Sequence, residues 1–205
     1  ITCRDWSSDV CSSDLLEAFF YHVPGLKLAM PSNPRDAKGL LKTAVRDDSP
    51  VVFIEHKRLY ETTGDVPEKE YSIPFGSAAV LREGTDCTLV GYSLMALRCA
   101  EAADMLAEEG ISCEVIDPRT LVPLDMRAVL ESVEKTGRLV IVSEASKRGS
   151  VASDIAARVA EEGFGSLRAP VVRVCGRNIP IPYNSALERA VIPDAETIAV
   201  AVRKL

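Results

Sequence analysis

Few side chains in this chain come in types and spacings from which chemistry could be built, and each candidate can be tested against its motif. Ser93 stands in GYSLM, Gly91 to Met95, between a strand-like and a helix-like run. That is close to the G-x-S-x-G elbow that lifts a nucleophilic serine for acyl transfer. Met95 takes the place of the final glycine, where bulk would obstruct the sharp turn, so Ser93 is expected to be the N-cap of the following helix. GFGSLR, Gly163 to Arg168, begins like a dinucleotide-binding fingerprint, but it lacks the last glycine and follows a helix. GLLKT around Lys42 is not a phosphate-binding loop, because its glycine and lysine are not adjacent. The two histidines, His22 and His56, have no second histidine at ligand spacing, which argues against zinc. His56 falls at a strand end, where active-site groups of parallel sheets often stand, yet each histidine is expected to be a surface or loop-anchoring residue. Lys147 and Arg148 could receive a phosphate or an acidic partner at another strand end; a solvated loop is the expected role. The cysteines fall singly, with no C-x-x-C pair, so Cys87, Cys99, Cys113 and Cys175 read as buried thiols of a reducing cytosol.

The elements that must carry these residues are punctuated clearly. His22 to Tyr60 reads as one strand–helix–strand unit. KLAMPS is a short apolar strand; Asn33 then takes the N-cap position, Pro34 N1 and Asp36 N3. Ala37, Leu40, Leu41, Ala44 and Val45 follow at helical spacing and are expected to form the buried face, and VVFI reads as a buried parallel strand. Residues 61–76 are polar and proline-containing and read as an extended linker. From residue 77 strands and helices alternate: SAAVLREG, CTLVGYS, a helix from Leu94 closed by Gly110, ISCEVID, a helix carrying Met126, Val129, Leu130 and Val133, RLVIVSEA, a helix with Val151, Ile155 and Val159, VVRVC, and a last helix with Ile198, Val202 and Leu205. The expected fold class is α/β, with a mostly parallel sheet flanked by helices.

Composition narrows the function classes. A hydrophobic content of 47% over 205 residues suffices for one or two packed domains. A net charge of −6 argues against a dedicated nucleic-acid binder, and no apolar run approaches the roughly 20 residues of a membrane span. Residues 1–15, ITCRDWSSDVCSSDL, differ from the rest: they lack apolar periodicity and contain no signal-peptide core. DWSSDVCSSDL resembles the in-frame translation of a sequencing-library adapter; a disordered native tail is the alternative. Without Arg4, Asp5, Asp9 and Asp14 the charge moves from −6 to −4, which leaves the conclusion unchanged.

The run HVPGLKLAMPSNPRDAKGLLKTAVRDDSPVVFIEHKRLY, followed in order by GYSLM, CEVIDPRTLVPLD, KTGRLVIVSEA, APVVRV and IPIPY, resembles the β subunit of the E1 component of thiamine-diphosphate-dependent 2-oxo acid dehydrogenases. That family includes the pyruvate, branched-chain 2-oxo acid and acetoin enzymes. The resemblance covers residues 16–205. It implies that residues 16–60 are the C-terminal remnant of a pyrimidine-binding domain, 61–76 a linker, and 77–205 a transketolase C-terminal-type domain. It also implies a parent that uses thiamine diphosphate and magnesium to decarboxylate a 2-oxo acid oxidatively and to pass the acyl group to a lipoyl arm on E2. Expected partners are an E1 α subunit, in an α2β2 heterotetramer, and the subunit-binding domain of the E2 acyltransferase, with Arg203, Lys204 and Leu205 a candidate contact. No nucleic acid or membrane is expected, and the location implied is cytoplasmic.

The same resemblance assigns no catalytic or cofactor-binding residue to this chain. The family's activating Glu lies upstream, and its His, in an H-S-Q-S type run, would precede LEAFF where SSDL stands; His22 is a different position. The expectation is therefore an N-terminally truncated subunit. One site is implied to survive, a structural potassium held by Ala44, Val45, Asp47 and Ser49. A helix C-terminus presents unpaired carbonyls there and Asp47 adds a carboxylate, although relatives often have Asn in the place of Ser49. The rival readings are another transketolase-like enzyme, such as transketolase or deoxyxylulose phosphate synthase, and a non-catalytic assembly module made of the C-terminal domain.

Overall fold

A computed structural model describes residues 16–205; the readings of residues 1–15 lie outside the described residues. The chain opens with a short helix α1 (Glu17–Tyr21), followed by β1 (Lys27–Ala29), α2 (Pro34–Val45) and β2 (Val51–Phe53). Helix α2 starts where its signals place it. The Asn33 side-chain oxygen accepts the Asp36 amide at 2.9 Å, its amide nitrogen donates to the Asp36 carboxylate at 2.8 Å, and Pro34 occupies the first turn. Strands β1 and β2 pair in parallel, as a strand–helix–strand unit requires.

Two expectations for this unit are corrected. The face of α2 that packs is Asp36, Gly39 and Leu40, whereas Leu41 is 47% and Val45 80% exposed. The reason is the segment 61–76, which carries no helix or strand but lies across α2. Ile73 donates its amide to the Gly39 carbonyl at 3.2 Å, Thr43 donates its hydroxyl to the Ile73 carbonyl at 2.7 Å, and Tyr71 donates to the Arg35 carbonyl at 2.7 Å. Contact on that side rotates the buried stripe away from Leu41 and Val45. Strand β2, expected to be buried, is only partly so, because it forms the edge of its sheet.

The remainder comprises β3 (Ala79–Arg82), β4 (Cys87–Gly91), α3 (Leu94–Glu108), β5 (Cys113–Asp117), β6 (Thr120–Val122), α4 (Met126–Thr136), β7 (Leu139–Ser146), α5 (Val151–Glu162), β8 (Val172–Gly176), α6 (Ser185–Arg189) and α7 (Ala195–Arg203). Five of these strands form one sheet in the order β3-β5-β4-β7-β8, parallel except for the antiparallel edge strand β3. Alternate residues of each central strand feed opposite cores. Leu89, Val140 and Val142 pack with Met95, Cys99 and Leu106 of α3 and with Ile198 and Val202 of α7. Val90, Leu139 and Ile141 pack with Val129 and Val133 of α4, with Val151, Ile155 and Val159 of α5, and with Leu28 of β1 and Met30 just after it. The expected α/β sheet covered by helices is present. Strand β6, not anticipated, pairs antiparallel with β1, so the C-terminal part of the chain extends the N-terminal sheet to three strands. Helices α1 and α6 were likewise not anticipated; each is five residues long, too short for a periodic pattern.

Candidate functional site

Open parallel sheets bind ligands in the crevice beyond the C-terminal ends of their strands. In this chain three adjacent strands each end in polar side chains: Tyr92 after β4, Asp117 on β5, and Ser143 and Glu144 on β7. All of them meet the N-terminal unit or one another. Tyr92 donates its hydroxyl to Glu17 at 3.1 Å and lies 2.8 Å from the Ser143 hydroxyl. Ser32 donates to the Asp117 carboxylate at 2.5 Å. Arg119, just beyond β5, closes a two-pronged ion pair on Asp36, with both contacts at 2.9 Å. His56 pairs with Glu144 at 2.8 Å.

Burial controls the charge states along this seam. Asp117 is fully buried, and desolvation raises its carboxyl to about 7; the Ser32 hydroxyl and the Arg119 amide oppose that rise, while the neighbouring Asp36 carboxylate adds to it. Tyr92 is held well above its ordinary value, first by burial and then by Glu17. At His56 geometry sets the tautomer: Nδ1 accepts the Arg58 amide at 3.2 Å, so the ring carries its proton on Nε2 and donates it to Glu144. His56 thus anchors a loop, as expected. The crevice is filled by the chain's own residues, and its polar groups lock the two parts together.

Other openings border His56, and one lies beside β7 and β8. It is a groove of about 850 Å³ whose walls include Phe19, His22, Arg148, Arg177, Asn178 and Ile179. His22 and Arg148 face solvent there, as the sequence suggested for both. Tyr21 bonds to Asp154 at 2.5 Å in its wall, and burial followed by that carboxylate raises the Tyr21 phenol.

The four residues of the expected potassium site sit together at the C-terminal end of α2. The Ala44 carbonyl accepts the Asp47 amide at 3.3 Å, and the Asp47 carboxylate accepts the Ser49 amide at 2.8 Å. Lys27 places its ammonium 2.6 Å from the other oxygen of Asp47. That hydrogen bond, followed by the Ser49 amide, holds the Asp47 carboxyl below its usual range. Main-chain carbonyls with a single carboxylate suit a hard monovalent cation, which would share Asp47 with Lys27. Among the described residues no group of three His, Cys, Asp or Glu side chains is arranged to hold a metal.

Ser93 departs from its expected role. It does occupy the N-cap position of α3, but at φ 54° and ψ −132°, and its side chain makes no capping bond. The hydroxyl is buried and without a hydrogen-bond partner. The sharp strand-to-helix turn that Met95 was expected to obstruct therefore forms. It is Gly91 that permits it, since a Cβ there would stand 2.6 Å from the Met95 carbonyl oxygen. Burial of the hydroxyl denies it to a substrate. Cys87, Cys99 and Cys113 are buried and Cys175 partly so, all as free thiols. Phe164, Gly165 and Ser166 of GFGSLR form a 3-10 turn after α5.

Comparison with known proteins matches two family models, the transketolase C-terminal domain over residues 76–198 and the transketolase pyrimidine binding domain over residues 12–63. Among curated proteins the chain is 53% identical over 192 residues to the acetoin:2,6-dichlorophenolindophenol oxidoreductase subunit beta of Cupriavidus necator, covering 94% of this chain and 57% of that protein. It is 44% identical to the 2-oxoisovalerate dehydrogenase subunit beta of Bacillus subtilis and 43% identical to the pyruvate dehydrogenase E1 component subunit beta of the same organism, covering 94% of this chain and 60% and 59% of those proteins. A solved structure described as a split gene transketolase, inactive beta4 tetramer, superposes with a TM-score of 0.78 at 28% identity, covering 93% of this chain and 60% of that one. The chain therefore spans a little over half the length of the curated relatives it matches.

Proposed function

The chain belongs to the transketolase C-terminal domain family, and from that premise we propose that it is part of the β subunit of an E1 component of the 2-oxo acid dehydrogenase type. The observation that carries this reading is 53% identity across 94% of the chain, a span that takes in the N-terminal unit, the segment 61–76 that straps α2, and the C-terminal domain together. A transketolase module alone would account for the fold but not for likeness at that level to three E1-type β subunits. The parent enzyme acts with an E1 α subunit in a heterotetramer, uses thiamine diphosphate and magnesium, and delivers an acyl group to lipoyl-E2 in the cytoplasm. When bound, thiamine diphosphate supplies the carbanion chemistry. The residues that the resemblance assigns to its activation are not among those of this chain, so no step is derived through it.

What this chain supplies is placement. Glu17, Ser32, Asp36 and His56 hold the N-terminal unit on the strand ends of the C-terminal domain, and the groove at Arg148 and Arg177 stays open for a partner subunit. Ala44, Val45, Asp47 and Ser49 hold potassium. The higher identity to the acetoin-type subunit than to the branched-chain and pyruvate types favours a small hydroxyketone or 2-oxo acid substrate of that class.

The test is reconstitution. The complete reading frame, co-expressed with its neighbouring α-subunit gene, is expected to reduce dichlorophenolindophenol when acetoin or a 2-oxo acid is supplied with thiamine diphosphate and magnesium. The 205-residue chain alone is expected not to bind thiamine diphosphate appreciably by calorimetry. Micromolar binding by the isolated chain, or an inactive complete complex, would overturn the assignment.

A further inference from the structure

Where β5 meets α2, the seam sets two buried carboxylates, Asp36 and Asp117, beside one guanidinium, Arg119. Asp36 is 1% and Asp117 0% exposed, and both prongs of Arg119 are spent on Asp36. Asp117 receives only neutral donors, the Ser32 hydroxyl at 2.5 Å and the Arg119 main-chain amide at 2.8 Å. A buried carboxylate without a counter-ion is among the most strongly disfavoured species in a protein, and it is relieved by taking up a proton. Asp117 lies on β5 of the C-terminal domain and Ser32 between β1 and α2, so the group in need of a proton sits between the two parts of the chain.

We infer that the seating of the N-terminal unit on the C-terminal domain is proton-linked, with Asp117 protonated in the seated state and ionised once the seam opens to water. The charged and titratable groups that face Asp117 are Asp36 of α2, Arg119 of its own turn and the Cys99 thiol of α3. The Asp36 carboxylate disfavours a second negative charge there, and Arg119, which would favour it, is engaged by Asp36. The buried value of about 7, set against an ordinary carboxyl, agrees with this geometry. The sign follows from the raised value. Between the ordinary carboxyl value and about 7 the seated state binds one more proton than the opened one. The seam is therefore tightest at mildly acidic pH, loosens as pH rises toward 7, and changes no further through this group above that. The inference is independent of the functional assignment, since it concerns two contacts within this chain.

Denaturant unfolding of the whole chain, followed between about pH 5 and pH 8 at constant ionic strength, tests it. In the parent the unfolding equilibrium constant is expected to rise by up to about tenfold per pH unit more than in Asp117→Asn, over the range below about 7 where one proton is at stake. Equal slopes in the two proteins would overturn the inference. Should Asp117→Asn fail to fold, Ser32→Ala is decisive. Loss of the hydroxyl that favours the ionised form should move the pH window upward, and an unmoved window would overturn the inference equally.

Discussion

Ser93 is the residue at which local strain is most visible. A non-glycine residue at φ 54° and ψ −132° costs on the order of 1–3 kcal/mol, and its buried hydroxyl adds an unmade hydrogen bond. Ser93→Gly removes both, so it is expected to stabilise the chain by about 1 kcal/mol, read as a higher denaturant midpoint at unchanged slope. A lower midpoint would show that the hydroxyl holds a contact that this account lacks. Glu144 gives the opposite case. Glu144→Ala removes the acceptor to which His56 Nε2 donates and is expected to destabilise by about 1–3 kcal/mol, whereas Glu144→Gln retains an acceptor and should lose less than half as much. Equal losses in the two variants would mean that packing, not the hydrogen bond, is what Glu144 contributes.

Among the elements, α2 shows how a neighbour overrides an amphipathic pattern. Its strap meets the helix at Gly39, where a Cβ would lie 2.6 Å from Ile73 and 2.9 Å from Tyr71. Gly39→Ala gains helix propensity but displaces the strap, and a net destabilisation of about 1–3 kcal/mol is expected from denaturant unfolding. A stabilised variant would show that the strap yields without loss. The end of the same helix carries the potassium proposal. Thermal unfolding in potassium chloride should show a midpoint a few degrees above that in tetramethylammonium chloride at equal ionic strength, corresponding to about 1–3 kcal/mol of linkage. Identical midpoints would remove potassium and leave Lys27 as the cation paired with Asp47.

For the molecule as a whole, the site and the joint are the same place. The crevice at which an open sheet would present a ligand is closed by Glu17, Ser32 and His56, so these strand ends carry the N-terminal unit. Exposed Leu41 and Val45 on α2, Ile179 and Tyr183 in the loop after β8, and Leu187 on α6 lie outside the two cores. If the chain packs with an α subunit as proposed, Tyr183→Asp should leave the stability of the chain unchanged within about 0.5 kcal/mol, the range expected of a surface change, while weakening association of the complete subunit in a pull-down. An unaffected pull-down would place the partner elsewhere.

Much of this was legible in the residues themselves, because its causes are local. Asn33, Pro34 and Asp36 announce the start of α2, Gly110 and Gly137 end their helices at φ +82° and +73°, and the apolar runs of β4, β5 and β7 are buried on both faces. The order of motifs also named the family. What depended on tertiary structure were relations between segments far apart in the chain. Which stripe of α2 is buried follows from a strap about 30 residues downstream. That β6 joins the sheet of β1 follows from a pairing across about 90 residues, which no periodicity in three residues can signal. The polar seam had a visible trace, since the apolar runs of β4, β5 and β7 each end in a polar side chain: Tyr92, Asp117, Glu144. Their partners, however, come from the other end of the chain. A lone polar residue at a strand end is equally consistent with solvent, a ligand or a seal, and only the packing of Glu17, Ser32 and His56 against these ends makes it a seal. A side chain's type and local period are written in sequence; what it faces is decided when distant segments meet.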